Sequence, residues 1–294
     1  MSSYHRILFP VDFSPAAMAM VPAVIEMAQR FDATVTVLNA FNLVREYNLA
    51  PCFEATGDSK PAPILYSPAL KELRDQRKES LDEFARSQFP NIKHSTKIED
   101  GDPESVIRWI AERENIDLIM MPTRGLGRFR RLLLGSVTAK VLHDVVCPVF
   151  TSAHEPDPAL TSPSGFRSII CAVDLDLEAE RIFKAAALFA RTYGAKICLL
   201  HIDSLSKEKD QPPIAVELRR LYDQVLAEDR DGAGNEISLR ILGSTIPHGI
   251  RQMALEQNAD LLVVGRGNTT GTLSRAWSNL YRIIRESPCP VLSV

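Results

Sequence analysis

Short runs of Val, Ile and Leu alternate along the chain with longer stretches whose apolar residues recur every three to four positions. Over the first half, the runs predict strands at 5–11, 34–41, 93–98, 117–121 and 148–151. The stretches between them predict helices near 15–31, 68–88, 103–114 and 136–144. Ser14 and Pro15 form an N-cap and first-turn pair. Ala17, Val21, Val24, Ile25 and Ala28 then fall on one helix face. Asp102 and Pro103 open the third helix in the same way. Pro22 sits inside the first helical pattern, where a bend is expected. The helix at 68–88 carries many opposite charges four residues apart and reads as a solvated amphipathic helix.

The strand runs are mostly rich in Val, Ile and Leu without regular alternation, which suggests burial on both faces. Together with the strand–helix alternation, this argues for a parallel sheet with helices on both sides. The pattern then repeats. HRILFPVDFS (5–14) is echoed by RSIICAVDLD (167–176), and DATVTVLNAF (32–41) by GAKICLLHID (194–203). The stretch at 101–125 matches 243–267 nearly position for position, and VLHDVVCPVF (141–150) matches IIRESPCPVL (283–292). Four matches in the same order describe an internal duplication. Between the copies, SAHEPDPALTSPSG (152–165) is rich in Pro, Ser and Ala and reads as a linker. The expected organisation is a domain at 1–151, a linker at 152–165 and a domain at 166–294. Each domain is a doubly wound, Rossmann-like α/β fold with a five-stranded parallel sheet.

Composition narrows the function classes. The 34 Lys and Arg are balanced by 37 Asp and Glu, and no basic half or polybasic tail points to nucleic acid or a membrane surface. The longest apolar runs are far too short to span a bilayer. The first residues lack the basic and apolar regions of a signal peptide. Five scattered cysteines in strand-like segments read as reduced, buried thiols, which favours the cytoplasm.

In open α/β sheets, ligands bind beyond the carboxyl ends of the strands, near the switch in strand order. In the first copy those ends carry Pro10-Val11-Asp12, Asn39-Ala40-Phe41 and the loop PTRGLGRFRRLLLGS (122–136). Gly135 permits close backbone approach, and Ser136 starts a helix whose first N–H groups and positive dipole end form an anion site. An ordinary N-capped helix would look the same. The loop contains neither a P-loop nor a G-x-G-x-x-G fingerprint. Arg124 and Arg128 are candidates for phosphate contact, and Arg130 and Arg131 read as solvated. Asp12 either accepts from a ribose hydroxyl or helps hold a metal, or else caps its own turn. His201 reads as a satisfied core residue. No nucleophile–base–orienter set is visible, and no catalytic residue is assigned.

At these residues the sequence resembles the universal stress protein family in its tandem form. The features are ILFPVDFS, the GDP opening the third helix, the run before the loop, the loop itself and the terminal CPV strands. The family's ATP-binding members carry G-x2-G-x9-G-[ST]. The first copy keeps Gly125, Gly135 and Ser136 at that spacing, with Pro122 in place of the first glycine. The resemblance implies an adenine-nucleotide alpha hydrolase-like fold binding ATP, with Mg2+ or Mn2+. It places Pro10, Val11 and Asp12 by the nucleoside and the backbone of Ala40 and Met121 at the adenine. It implies phosphate contacts from Thr123, Arg124, Gly125, Arg128, Gly135, Ser136, Val137 and Thr138. Proline has no N–H, so one backbone contact there is altered.

The second copy departs further. Gly265 stands at the first glycine, Asn268 at the second, and Ser278-Asn279 where Gly-Ser is expected. It is expected to bind ATP weakly or not at all. Family members pair domains through their last strands, so PVF and PVLSV are expected to pair within the chain as an intrachain pseudo-dimer, with homo-oligomer formation left open. The expected function is a cytoplasmic stress-response protein that binds ATP as a regulatory ligand, turns little over, and acts on an unknown protein partner. The alternatives are slow ATP hydrolysis or self-phosphorylation on Ser136 or Thr138, and a nucleotide-independent scaffold. The loop at 42–66 is a candidate lid.

Overall fold

A computed structural model of the chain describes residues 4–42, 68–125, 134–153, 165–174, 178–202, 212–228, 237–266 and 273–294. The candidate lid and Arg128, Arg130 and Arg131 lie outside these residues. Two compact units are present, residues 4–120 and residues 121–294.

The first unit contains β1 (Arg6–Pro10), α1 (Pro15–Phe31), β2 (Thr34–Phe41), α2 (Pro68–Gln88), β3 (His94–Asp100) and α3 (Pro103–Arg113). It ends in β4 (Leu118–Met121), whose last residue begins the second unit. Its strands run in the order β3-β2-β1-β4, all parallel, with Leu8 opposite Thr36 on one side and Ile119 on the other. Ile7, Leu8, Phe9, Val35, Val37, Leu118 and Ile119 are fully buried. This explains the apolar-rich runs: both faces of these strands are covered. Phe9 meets Phe89 edge to face at 6.2 Å, which fixes the end of α2 against the sheet.

The Ser14 hydroxyl accepts from the Ala17 N–H at 3.2 Å, as an N-cap should. The helix then runs through Pro22 without interruption. Pro22 is exposed, so the carbonyl it leaves without a helical donor lies on the solvent side, where its cost is lowest. Asp102 occupies the N-cap position of α3 but makes no capping bond; its Oδ1 accepts from Asn42 Nδ2 at 3.0 Å instead.

The second unit contains α4 (Ser136–Asp144), β5 (Val149–Thr151), β6 (Ser168–Ala172), α5 (Ala179–Tyr193), β7 (Lys196–Ile202), α6 (Pro212–Glu228) and β8 (Ile237–Leu242). It continues with α7 (Ile246–Glu256), β9 (Leu261–Val264), α8 (Leu273–Glu286) and β10 (Val291–Ser293). Strands β10-β9-β6-β7-β8 are parallel neighbours in that order. β5 joins at β10, antiparallel, with Phe150 opposite Leu292. The sheet is therefore mixed: pairing is parallel within a repeat, and the last strands of the two repeats meet antiparallel. The Ser293 hydroxyl donates to the Val149 carbonyl at 3.1 Å and the Thr151 hydroxyl to the Val291 carbonyl at 3.3 Å. The expected pairing of PVF with PVLSV is thus present, and it covers an apolar edge on each strand. Sequence repeat and compact unit do not coincide, because α4 and β5 belong to the first copy by sequence and pack in the second unit.

Cys171, Cys198 and Cys289 are buried free thiols and Cys147 is half-buried; Cys52 lies outside the described residues. Burial pushes the Cys289 thiol up to about 12 and Cys171 higher still, so both stay uncharged and unreactive.

Candidate functional site

Both repeats change strand direction of travel at the same place: β1 lies between β2 and β4, and β6 between β7 and β9. The carboxyl ends flanking that point are where a doubly wound sheet opens a crevice.

In the first unit, Pro10 ends β1 half-buried, opposite Leu38. The Val11 N–H donates to the Leu38 carbonyl at 2.8 Å, and the Val11 carbonyl accepts from Asn39 Nδ2 at 2.7 Å. Asn39 is buried and locks this turn to the end of β2; sequence reading placed it at the strand end without giving it this bond. Asp12 is exposed, and its Oδ1 accepts from the Ser14 N–H at 3.0 Å. Its turn-capping role is therefore realised, and it holds Phe13 at φ 55°. Ala40 is half-buried in β2, opposite Glu99.

In the second unit, buried Met121 leads into Pro122 and Thr123, both buried, then half-buried Arg124 and exposed Gly125. Two bonds fold this segment against the start of α4. The Gly135 N–H donates to the Thr123 carbonyl at 2.8 Å, and the buried Thr138 hydroxyl donates to the Pro122 carbonyl at 3.0 Å. A Cβ on Gly135 would come within 3.3 Å of the Thr123 carbonyl oxygen, so only glycine fits without displacement. Gly135 is the N-cap and offers no side chain to the helix. The first N–H groups of α4, from Ser136, Val137 and Thr138, are the ones a helix cannot satisfy internally. Ser136 is exposed and Val137 half-buried, so this opening faces outward with the positive dipole end. The donor set suits phosphate oxygens, and the bracing fixes it beforehand. Among the described residues no group of three or more His, Cys, Asp or Glu is placed to hold a metal ion.

The second repeat is built differently at the same place. The Val173 N–H donates to the Leu200 carbonyl at 2.9 Å, as Val11 does to Leu38. His201 replaces Asn39: it is buried, and its Nδ1–H donates to the Val173 carbonyl at 3.0 Å. Asp174 is exposed, 4.0 Å from that imidazole. Gly265 serves packing, since a Cβ there would lie 2.6 Å from Ile182 Cδ1. The decisive change is α8. Counting forward from the strand ends, the Gly135-Ser136 position falls on Ser278-Asn279; counting back from Cys147 and Cys289, it falls on Trp277-Ser278. Either way it lies inside a helix that already began at Leu273. Backbone N–H groups there bond within the helix and are not free for a ligand. The crevice that remains, lined by Ile182, Ile202, Ile246, Leu280 and Ile283 with Asp174 at its edge, encloses about 120 Å³. Ligand pockets for molecules of drug size run to about 300–1,000 Å³.

Arg266, just after β9, borders this crevice and commits its guanidinium to backbone carbonyls. Its Nη1 donates to the Val145 carbonyl and, at 3.5 Å, to that of Leu142; Nη2 donates to the Cys147 carbonyl and, at 3.4 Å, to that of Ser293. Burial pulls the guanidinium down to about 10, so it remains charged at neutral pH. Tyr281 on α8 accepts the Leu134 N–H on its hydroxyl at 3.0 Å. Neither contact with the α4 region was visible in the sequence, where those partners stand more than a hundred residues apart.

Comparison with known proteins agrees with this architecture. A universal stress protein of Methanocaldococcus jannaschii is 30% identical over 147 residues, which are 50% of this chain and 80% of the relative. Putative universal stress proteins of Staphylococcus aureus are 29% identical over 164 residues, 55% of this chain and 92% of the relative. The crystal structure of a universal stress protein from Archaeoglobus fulgidus superposes with a TM-score of 0.71 at 23% identity, covering 99% of this chain and 96% of that one. The model of the universal stress protein family matches twice, over residues 3–151 and 165–294. The chain belongs to the universal stress protein family and carries its sequence twice in tandem.

Proposed function

We propose that the chain binds ATP through its first repeat, as a regulatory ligand with little turnover, while the second repeat binds none. The observation that carries this is the opening of α4. Ser136, Val137 and Thr138 bring N–H groups that the helix cannot satisfy internally to a braced, outward-facing start, and a Cβ on Gly135 would press on the Thr123 carbonyl. In this reading Gly125, Gly135, Ser136, Val137 and Thr138 hold the phosphates, with Thr123, Arg124 and Arg128 beside them. Pro10, Val11 and Asp12 meet the nucleoside, and the backbone of Ala40 and Met121 reads the adenine. Pro122 offers its carbonyl to Thr138 and has no N–H for a phosphate. A Mg2+ or Mn2+ ion would arrive with the nucleotide and supply charge neutralisation of the phosphates.

A slow self-phosphorylation is the second reading, and exposure selects its acceptor. Ser136 is exposed at the first helical position, whereas Thr138 is buried and commits its hydroxyl to Pro122. We place the protein in the cytoplasm on its buried, reduced thiols, and assign the reading of nucleotide occupancy to a protein partner. Differential scanning with and without Mg-ATP tests the core of the proposal. Ligand at about 100 times its Kd adds about 2.7 kcal/mol to the stability of the state that binds it. An unshifted transition at millimolar ATP overturns ATP binding, and fast linear phosphate release overturns the low turnover.

A further inference from the structure

Helix α4 has nine residues and spans only about 14 Å. Helices this short are marginal alone, so where its first turn points depends on what holds it. Two side chains from the second repeat hold it, one at each end.

At the N-terminal end, the Tyr281 hydroxyl takes the N–H of Leu134, one residue before Gly135. Leu134 is buried, and that single bond fixes the chain entering the cradle. At the C-terminal end, the Arg266 guanidinium collects the carbonyls of Leu142 and Val145, the latter being the C-cap of α4, and that of Cys147 in the following turn. A cation there satisfies carbonyls the helix cannot and opposes its negative dipole end. Arg266 is anchored in turn: its own N–H donates to the Val294 carbonyl at 3.2 Å, beyond the last residue of β10. Its Nε is buried with no partner among the described residues, a cost borne for the four carbonyl contacts.

Arg266 stands two residues after the end of β9, as Thr123 stands two residues after the end of β4. In the first repeat that position braces the cradle from inside, through the Thr123 carbonyl and Gly135. In the second it reaches into the first repeat's helix. We propose that the second repeat has exchanged nucleotide binding for positioning: Tyr281 and Arg266 clamp α4 and set the geometry of the phosphate cradle. Both are positioning residues, since neither touches the ligand site. The consequence for affinity rests on the ATP reading above; the clamp itself does not.

The test uses the full chain with Tyr281→Phe, which removes one oxygen and leaves the ring, and Arg266→Met. Hydrogen exchange at residues 134–138 without nucleotide reads the clamp alone. Calorimetric titration with ATP and with adenosine reads its consequence. Tyr281→Phe is expected to speed exchange at 134–138 about fivefold and to weaken ATP about five- to tenfold. Adenosine affinity and exchange in β6–β9 stay as in the wild type, which a general loss of stability would not permit. Arg266→Met weakens ATP in the same sense, with Arg266→Lys intermediate. Unchanged exchange at 134–138 in Tyr281→Phe overturns the clamp, whatever ATP does. Faster exchange with unchanged ATP affinity overturns its role in positioning. Failure of the wild-type chain to bind ATP, with exchange still accelerated in the variant, sinks the ATP reading instead.

Discussion

The two repeats share their strand order, the Val-Asp turn after the first strand and the N–H bond from that Val to the neighbouring strand, at 2.8 Å in one and 2.9 Å in the other. They part at one helix. In the first repeat glycine stops the helix at Ser136 and leaves its first N–H groups facing outward. In the second, no Gly or Pro stands between Leu273 and Ser287, so the helix extends back to Leu273 and consumes the same N–H groups in its own ladder. A fold can therefore keep its strand order and still lose the free N–H groups of one helix start. The difference is one of backbone hydrogen bonding more than of bulk.

The largest effect is expected from Gly135→Val. Its side chain meets the Thr123 carbonyl and fills the cradle, and ATP affinity should fall by more than about thirtyfold, or about 2 kcal/mol. Titration calorimetry reads it, and a fold loss under three would mean that α4 does not hold the phosphates. The next variant tries to break the contrast from the other side. Ser278→Gly with Asn279→Ser restores the missing residue types, yet places glycine inside α8. No second ATP site should appear, and denaturant unfolding should show a loss of about 1 kcal/mol. A second site after these two changes would show that residue identity, and not helix start, is what separates the repeats.

Thr138→Val keeps the shape of the side chain and removes the bond to the Pro122 carbonyl. A stability loss of about 1 kcal/mol and an ATP affinity about fivefold weaker are expected from unfolding and titration experiments. The smallest effect belongs to Asn39→His, which copies the second repeat. Because His201 makes the equivalent bond to Val173, ATP affinity should stay within about threefold of wild type. A larger loss would mean that Asn39 meets the ligand and that the His201 substitution helped to blank the second repeat.

Much of this fold was legible in the sequence. Strands buried on both faces leave runs rich in apolar residues, so β1, β2 and β4 fell within a residue of their expected ends. Ser14-Pro15 announced α1, and the pairing of the last strands followed from the family resemblance, with apolar edges that the pairing covers. Asp102 was legible as a position but not as a bond, because Asn42 competes for its carboxylate. The bracing of Gly135 by Thr123, and Asn39 on the Val11 carbonyl, are tertiary bonds with no local pattern. The early start of α8 was missed because aligning two copies compares residue types, whereas the helix start is set by what fails to interrupt it. Arg266 carries no local signal in the sequence, because its carbonyl partners come from the other repeat.

The central claim is one nucleotide site per chain, held by the opening of α4. Isothermal titration of the full chain with Mg-ATP tests it most directly. A single site per chain that disappears in Gly135→Val is the predicted result. Two equivalent sites per chain, or one site that survives Gly135→Val, would contradict it.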